Sequence, residues 1–91
     1  MSSNNTSILN TEIKNLDTKQ WPFDNLVFLS IKNKGSQTIF YNVDGKGAVS
    51  LDPGEEDPFH LKGSSSMSGR IEFEYKGATN VFIKIRTIQR I

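Results

Sequence analysis

Ile71-Glu72-Phe73-Glu74-Tyr75-Lys76 alternates apolar and charged side chains without a break. Successive side chains on a β-strand point to opposite faces, so this hexapeptide carries one apolar face and one charged face. A strand of that kind belongs in an antiparallel sheet with one side on a core and the other in water. Downstream, Lys76-Gly-Ala-Thr-Asn80 supplies a turn, and Val81, Ile83 and Ile85 then face away from Lys84 and Arg86. Upstream the pattern recurs. Leu26–Lys32 (LVFLSIK) places Val27, Leu29 and Ile31 on one side, and Gln37–Val43 (QTIFYNV) does the same with Ile39, Tyr41 and Val43. Val49 with Leu51, and Phe59 with Leu61, mark two shorter strands, the second an edge because Pro58 cannot donate to a ladder.

The connections are of hairpin length. Asn33-Lys34-Gly35-Ser36 and Asp44-Gly45-Lys46-Gly47 carry turn residues, the latter with glycines that permit positive φ. Asp52-Pro53-Gly54-Glu55 has proline and glycine at the two central positions of a type II turn. Residues 63–69 form a Gly/Ser loop around Met67. These features predict an all-β domain over residues 25–91, an antiparallel β-sandwich or small barrel of about six strands.

Residues 1–24 read differently. Met1–Asn10 is rich in Ser, Asn and Thr, too polar to offset its own ordering entropy and expected to be disordered alone. Leu9, Ile13 and Leu16 fall near helical spacing, which suggests one or two turns of helix within Thr11–Gln20, stable only against a docking surface. Trp21 and Phe23 lie outside the predicted strands, with Pro22 biasing Trp21 toward extended backbone. The segment is expected to act as an N-terminal arm that is partly disordered or orders on contact.

Composition narrows the function. A chain of 91 residues buries only about 60–65% of its unfolded surface. Eleven basic and ten acidic residues leave a charge of +1, too little to gather nucleic acid or an anionic membrane by long-range field. There are no cysteines, hence no thiolate metal site or disulfide framework. No apolar run approaches the roughly 20 residues of a membrane span. The N-terminus lacks the basic start and apolar stretch of a secretion signal, which points to a soluble protein made and used without secretion, in the cytoplasm.

Candidate chemical sites are sparse. His60, the single histidine, sits between Phe59 and Leu61 with no second histidine or cysteine to complete a zinc or nucleophile set. Glu55, Glu56 and Asp57, with Asp52 and Asp44, lack the alternate spacing of a calcium loop. Glu72 and Glu74 stand about 7 Å apart on one strand face, but so small a sandwich offers little concavity for glycoside hydrolysis. Lys84, Arg86 and Arg90 beside Phe82 resemble a nucleic-acid surface, yet cross-strand pairing with Glu72 and Glu74 would account for them. No catalytic residue, metal or cofactor is therefore expected.

The aromatic residues are more informative. Phe40 and Phe82, like Leu26 and Phe28, have the wrong parity for the assigned core. With Trp21 and Phe23 they form an apolar set that a soluble monomer rarely leaves bare. Either the arm folds back to cover it or a neighbouring protein does. A different class, a carbohydrate-binding module, would stack Trp21, Tyr41 or Tyr75 on sugar rings.

Ile31-Lys-Asn-Lys-Gly35-Ser, Ile39-Phe-Tyr-Asn-Val43 and Leu51-Asp-Pro-Gly54-Glu55 together resemble small phage virion proteins. In these a strand ending in Asn-x-Gly-Ser leads into a hairpin, and a Pro-Gly-Glu turn precedes the next strand. The resemblance spans about a third of the chain and lies in scaffold positions, so it transfers no functional residue. It implies a β-sandwich accessory protein of a capsid or tail. The expected function is non-enzymatic docking on protein partners, through self-association or a larger assembly. Trp21 and Phe23 serve as arm anchors and Phe40 and Phe82 as sheet contacts.

Overall fold

A computed structural model of the chain describes residues 7–60 and 66–90. Seven strands follow in order: β1 (Ser7–Asn15), β2 (Gln20–Asn33), β3 (Ile39–Val43), β4 (Val49–Leu51), β5 (Glu56–His60), β6 (Met67–Glu74) and β7 (Phe82–Arg90). All pairings are antiparallel, in the order β1-β7-β2-β6-β3-β4, with β5 joined to β2. The all-β antiparallel expectation holds, with one strand more than the sequence suggested.

The long β2 organises the molecule. Along one edge it pairs β7 from Leu26 to Asn33. Along the other it pairs β6 from Gln20 to Leu26 and then β5 from Phe28 to Lys32. The sheet therefore divides at the middle of β2, and its two halves fold over a shared interior. Leu29 and Ile31 of β2 and Ile83 and Ile85 of β7 join Ile39 and Tyr41 of β3, Leu51 of β4, and Ile71 and Phe73 of β6 in one core. Each fully buried aliphatic side chain there contributes about 1.5–3 kcal/mol. Across the interior, the Tyr41 ring meets Phe59 of β5 edge-on at 6.3 Å, and the Tyr41 hydroxyl donates to Asp57 at 2.5 Å.

Turn chemistry behaves as the sequence predicts. Gly54 has φ of 85° and the Glu55 amide donates to the Asp52 carbonyl at 2.9 Å. Asp44 and Gly45 both have positive φ in the turn after β3, and so do Lys76 and Gly77 in the turn after β6. A buried Asn33 ties strand ends together. Its Nδ2 donates to the Gln37 and Leu51 carbonyls at 2.8 and 2.9 Å, while its Oδ1 accepts from the Gly35 amide at 2.9 Å.

Several expectations need correction. The segment expected to form helical turns within Thr11–Gln20 instead supplies most of β1, a tight turn and the start of β2. A spacing of four, as between Leu9 and Ile13, keeps two residues on one face of a helix and equally of a strand, and the edge of β7 decides between them. Trp21 and Phe23, expected outside the strands, lie in β2 opposite Ile71 and Gly69 of β6. The expected arm boundary at residue 24 thus falls within a strand. Leu26, expected outward, is buried, because the β2–β7 register slips between Leu26 and Phe28 and the extra residue, Val27, restores Leu26 to the side of Leu29. Val49, expected inside with Leu51, is exposed on the short edge strand β4. Met1–Asn10, expected to be disordered alone, supplies residues 7–10 to β1, where they pair with β7. Residues 1–6, the strand end expected at Leu61–Lys62 and residues 63–65 of the Gly/Ser loop lie outside the described residues. Met67–Gly69, placed in that loop by the sequence, begin β6.

Candidate functional site

Strand β1 is amphipathic in an inverted sense. Register with β7 sets Leu9 opposite Ile88, Thr11 opposite Arg86, Ile13 opposite Lys84 and Asn15 opposite Phe82. Ile83 and Ile85 of β7 point into the core, so this alternate set points outward. Leu9, Ile13 and Phe82 are 66%, 59% and 49% exposed. The polar residues of β1, Asn10, Glu12 and Lys14, take the inner side, opposite Thr87, Ile85 and Ile83. A strand that served only its own core would be turned the other way. Among the described residues β1 pairs β7 alone, which leaves its second edge with backbone donors and acceptors that no described strand takes up.

The inner side of β1 borders a cleft of about 250 Å³. Trp21 and Phe23, two residues apart on β2, line it with rings stacked at 5.9 Å and 25°. Leu26 and Thr87, both buried, also line it. Asn10 and Glu12 of β1, Asp24 of β2 and Gln89 of β7 add polar groups. These groups are held in place. Asn10 Nδ2 donates to Glu12 Oε2 at 3.1 Å, and Lys14 Nζ lies 2.8 Å from Glu12 Oε1. The Asp24 carboxylate accepts from the Ser68 hydroxyl, and Gln89 Nε2 donates to the Asp24 carbonyl at 3.3 Å. Asn25, with φ of 57°, kinks β2 beside the cleft where pairing with β6 shifts register.

The structure separates the other singled-out residues. Phe40 lies on the outer face of β3, half-buried under Lys76, whose Nζ sits 4.2 Å from the ring centre. Phe82 is on the outer face of β7, in the other half of the folded sheet, so the two do not form one patch. Tyr41 and Tyr75 turn their hydroxyls inward, to Asp57 and to the Thr18 carbonyl. Burial, aided by Asp57, raises the Tyr41 phenol well above its ordinary range, and burial pushes Tyr75 up to about 12. Neither offers a sugar platform. His60 closes β5 opposite Phe28; its side chain, like that of Arg90, lies outside the described set.

The acidic cluster is engaged within the fold. Glu55 accepts from the Asp52 amide, Glu56 from the Ser30 hydroxyl, Asp57 from Tyr41, and Asp44 from the Arg70 amide. Among the described residues no group of three or more His, Asp or Glu is placed to hold a metal ion. The expected pairing of Lys84 and Arg86 with Glu72 and Glu74 does not occur, because β2 lies between β7 and β6. Lys84 instead faces Ile13 and Lys32, and Arg86 faces Thr11 and Ser30. No helix among the described residues is long and apolar enough to cross a membrane.

Sequence reasoning singled out Trp21, Phe23 and Phe82 but missed β1. The available signal was Leu9 and Ile13 alternating with Asn10, Glu12 and Lys14, a short stretch of period two read there as helical spacing. No protein-family model matches the chain, and neither curated proteins nor solved structures give a significant match.

Proposed function

We propose that the protein is a non-catalytic assembly module that associates with a second copy of itself along the free edge of β1. The observation that carries this is the outward exposure of Leu9 and Ile13 on an edge strand, with Phe82 beside them. The sequence of β1 also suits self-pairing. Its nine residues are centred on Thr11, and an antiparallel partner in full overlap sets Leu9 against Ile13 of the second copy, and Asn10 against its Glu12. The apolar pairs fall on the outer face and the amide–carboxylate pairs on the inner one. Each such cross-strand pair contributes about 0.2–1 kcal/mol beyond the backbone bonds. Glu12 and Lys14 point inward on this edge, a device that discourages indiscriminate pairing and favours a matched partner. A capsid or tail is a natural setting for such a module, as the turn resemblance implies.

Size-exclusion chromatography with light scattering over a dilution series tests the proposal. The full chain is expected to run as a dimer that dissociates on dilution. Leu9→Lys with Ile13→Lys is expected to weaken association at least about tenfold, or 1.4 kcal/mol, while leaving the β-sheet circular dichroism unchanged. A monomer at every concentration contradicts it.

A further inference from the structure

We infer that the cleft between β1 and the first half of β2 binds a neutral saccharide, with one pyranose ring against Trp21 and Phe23. Ligand sites combine an apolar surface with a few convergent polar groups, and this cleft has both within about 250 Å³. That size suits a single sugar ring better than a drug-sized molecule, whose pockets start at about 300 Å³.

The geometry selects among ligand classes. Trp21 and Phe23 stack within 25° of parallel at 5.9 Å, and both border the cleft from the β2 side. A cage for a quaternary ammonium needs rings that converge from several sides. Here both rings come from one strand and border the cleft from one side, where they can meet the apolar face of a sugar. The charges agree with a neutral guest. Glu12 already faces the Lys14 ammonium at 2.8 Å, and Asp24 already accepts a hydroxyl proton from Ser68. Neither carboxylate calls for a cation. Both retain lone pairs for sugar hydroxyls, and the Asn10 and Gln89 amides supply donors as well as acceptors. Because existing bonds hold these four groups, less ordering entropy is lost on binding.

Polar residues on the inner side of β1 gain a reason by this assignment. Asn10 and Glu12 occupy positions where the fold alone would favour apolar side chains, and they line the cleft together with Trp21 and Phe23. The proposed dimer rests on the outer face and free edge of the same strand but also pairs Asn10 with Glu12 on the inner face. Gln89→Ala, which lies outside β1, and the Leu9→Lys, Ile13→Lys variant are therefore the substitutions that separate the two proposals.

The test is an NMR titration of the labelled 91-residue chain with methyl glucoside, methyl galactoside and N-acetylglucosamine. Tetramethylammonium forms a separate arm, and an array of neutral oligosaccharides a third. Trp21 is the single tryptophan, so its indole N–H is an unambiguous reporter. At least one sugar is expected to shift that signal and the amides of Asn10, Asp24 and Gln89, with a dissociation constant of about 1 mM or below. Gln89→Ala and Glu12→Gln, which spare the aromatic packing, are expected to weaken binding about fivefold or more. The Leu9→Lys, Ile13→Lys double variant is expected to bind as well as the parent. An indole signal that no sugar moves, with no array binding, overturns the inference. So does a response to tetramethylammonium alone, or shifts that spare the cleft.

Discussion

Asn33 shows how much one side chain can hold. It is fully buried and satisfies two carbonyls and one amide drawn from three loops and strands. Asn33→Ala strands the Leu51 carbonyl in the core, and an unsatisfied buried group costs about 1–3 kcal/mol beyond the lost bonds. A drop of about 2–4 kcal/mol in urea unfolding is expected; a change within about 0.5 kcal/mol contradicts that role. Leu26 and Val27 give a paired test of the bulge. Leu26→Ala is expected to cost about 2–4 kcal/mol and Val27→Ala under about 1, because only Leu26 is buried against the core. Regular alternation predicts the reverse order. The same denaturation experiment decides.

At the level of strands and turns, local signals were the readable ones. Alternation in Ile71–Lys76 and positive-φ glycine at Gly54 act through neighbours in the chain, and both appear in the structure as the sequence implies. What failed depended on distant partners. The strand identity of β1 comes from β7, some seventy residues on, and the parity of Leu26 comes from a one-residue slip against that same strand. The cleft draws on residues 10–26 and 87–89, so no single stretch announces it. Gly35 is a further case. A Cβ there would stand 2.3 Å from the Asn80 backbone oxygen, at the entry to β7. Gly35→Ala is therefore expected to cost about 1–3 kcal/mol by pushing that entry segment aside, measured by thermal or urea unfolding. An unchanged midpoint would show that the two segments do not pack this closely.

The whole molecule is a folded sheet of 49 × 23 × 20 Å, with β1 along its margin. Its two inward tyrosines set its behaviour at high pH. Both phenols titrate above their ordinary value of 10 in the folded state, so above pH 10 the unfolded chain holds fewer protons than the native one. Stability is fully present below about pH 10 and falls as pH rises through about 12, where Tyr75 ionises. Urea unfolding between pH 8 and pH 12 is expected to show that decline, and Tyr41→Phe with Tyr75→Phe to flatten it. A decline equally steep in the double variant would assign it to other groups.

Self-association through β1 makes a geometric demand that one substitution addresses. The chain has no cysteine, and in a full-overlap antiparallel pair Thr11 faces its own copy at a Cα separation of about 4.5–5.5 Å. That lies within the range a disulfide accepts. Thr11→Cys under mild oxidation is expected to give a symmetric covalent dimer much faster than Asn80→Cys, placed on an exposed turn. Cross-linking of the two variants at the same rate, or none at Thr11, would contradict assembly through this edge.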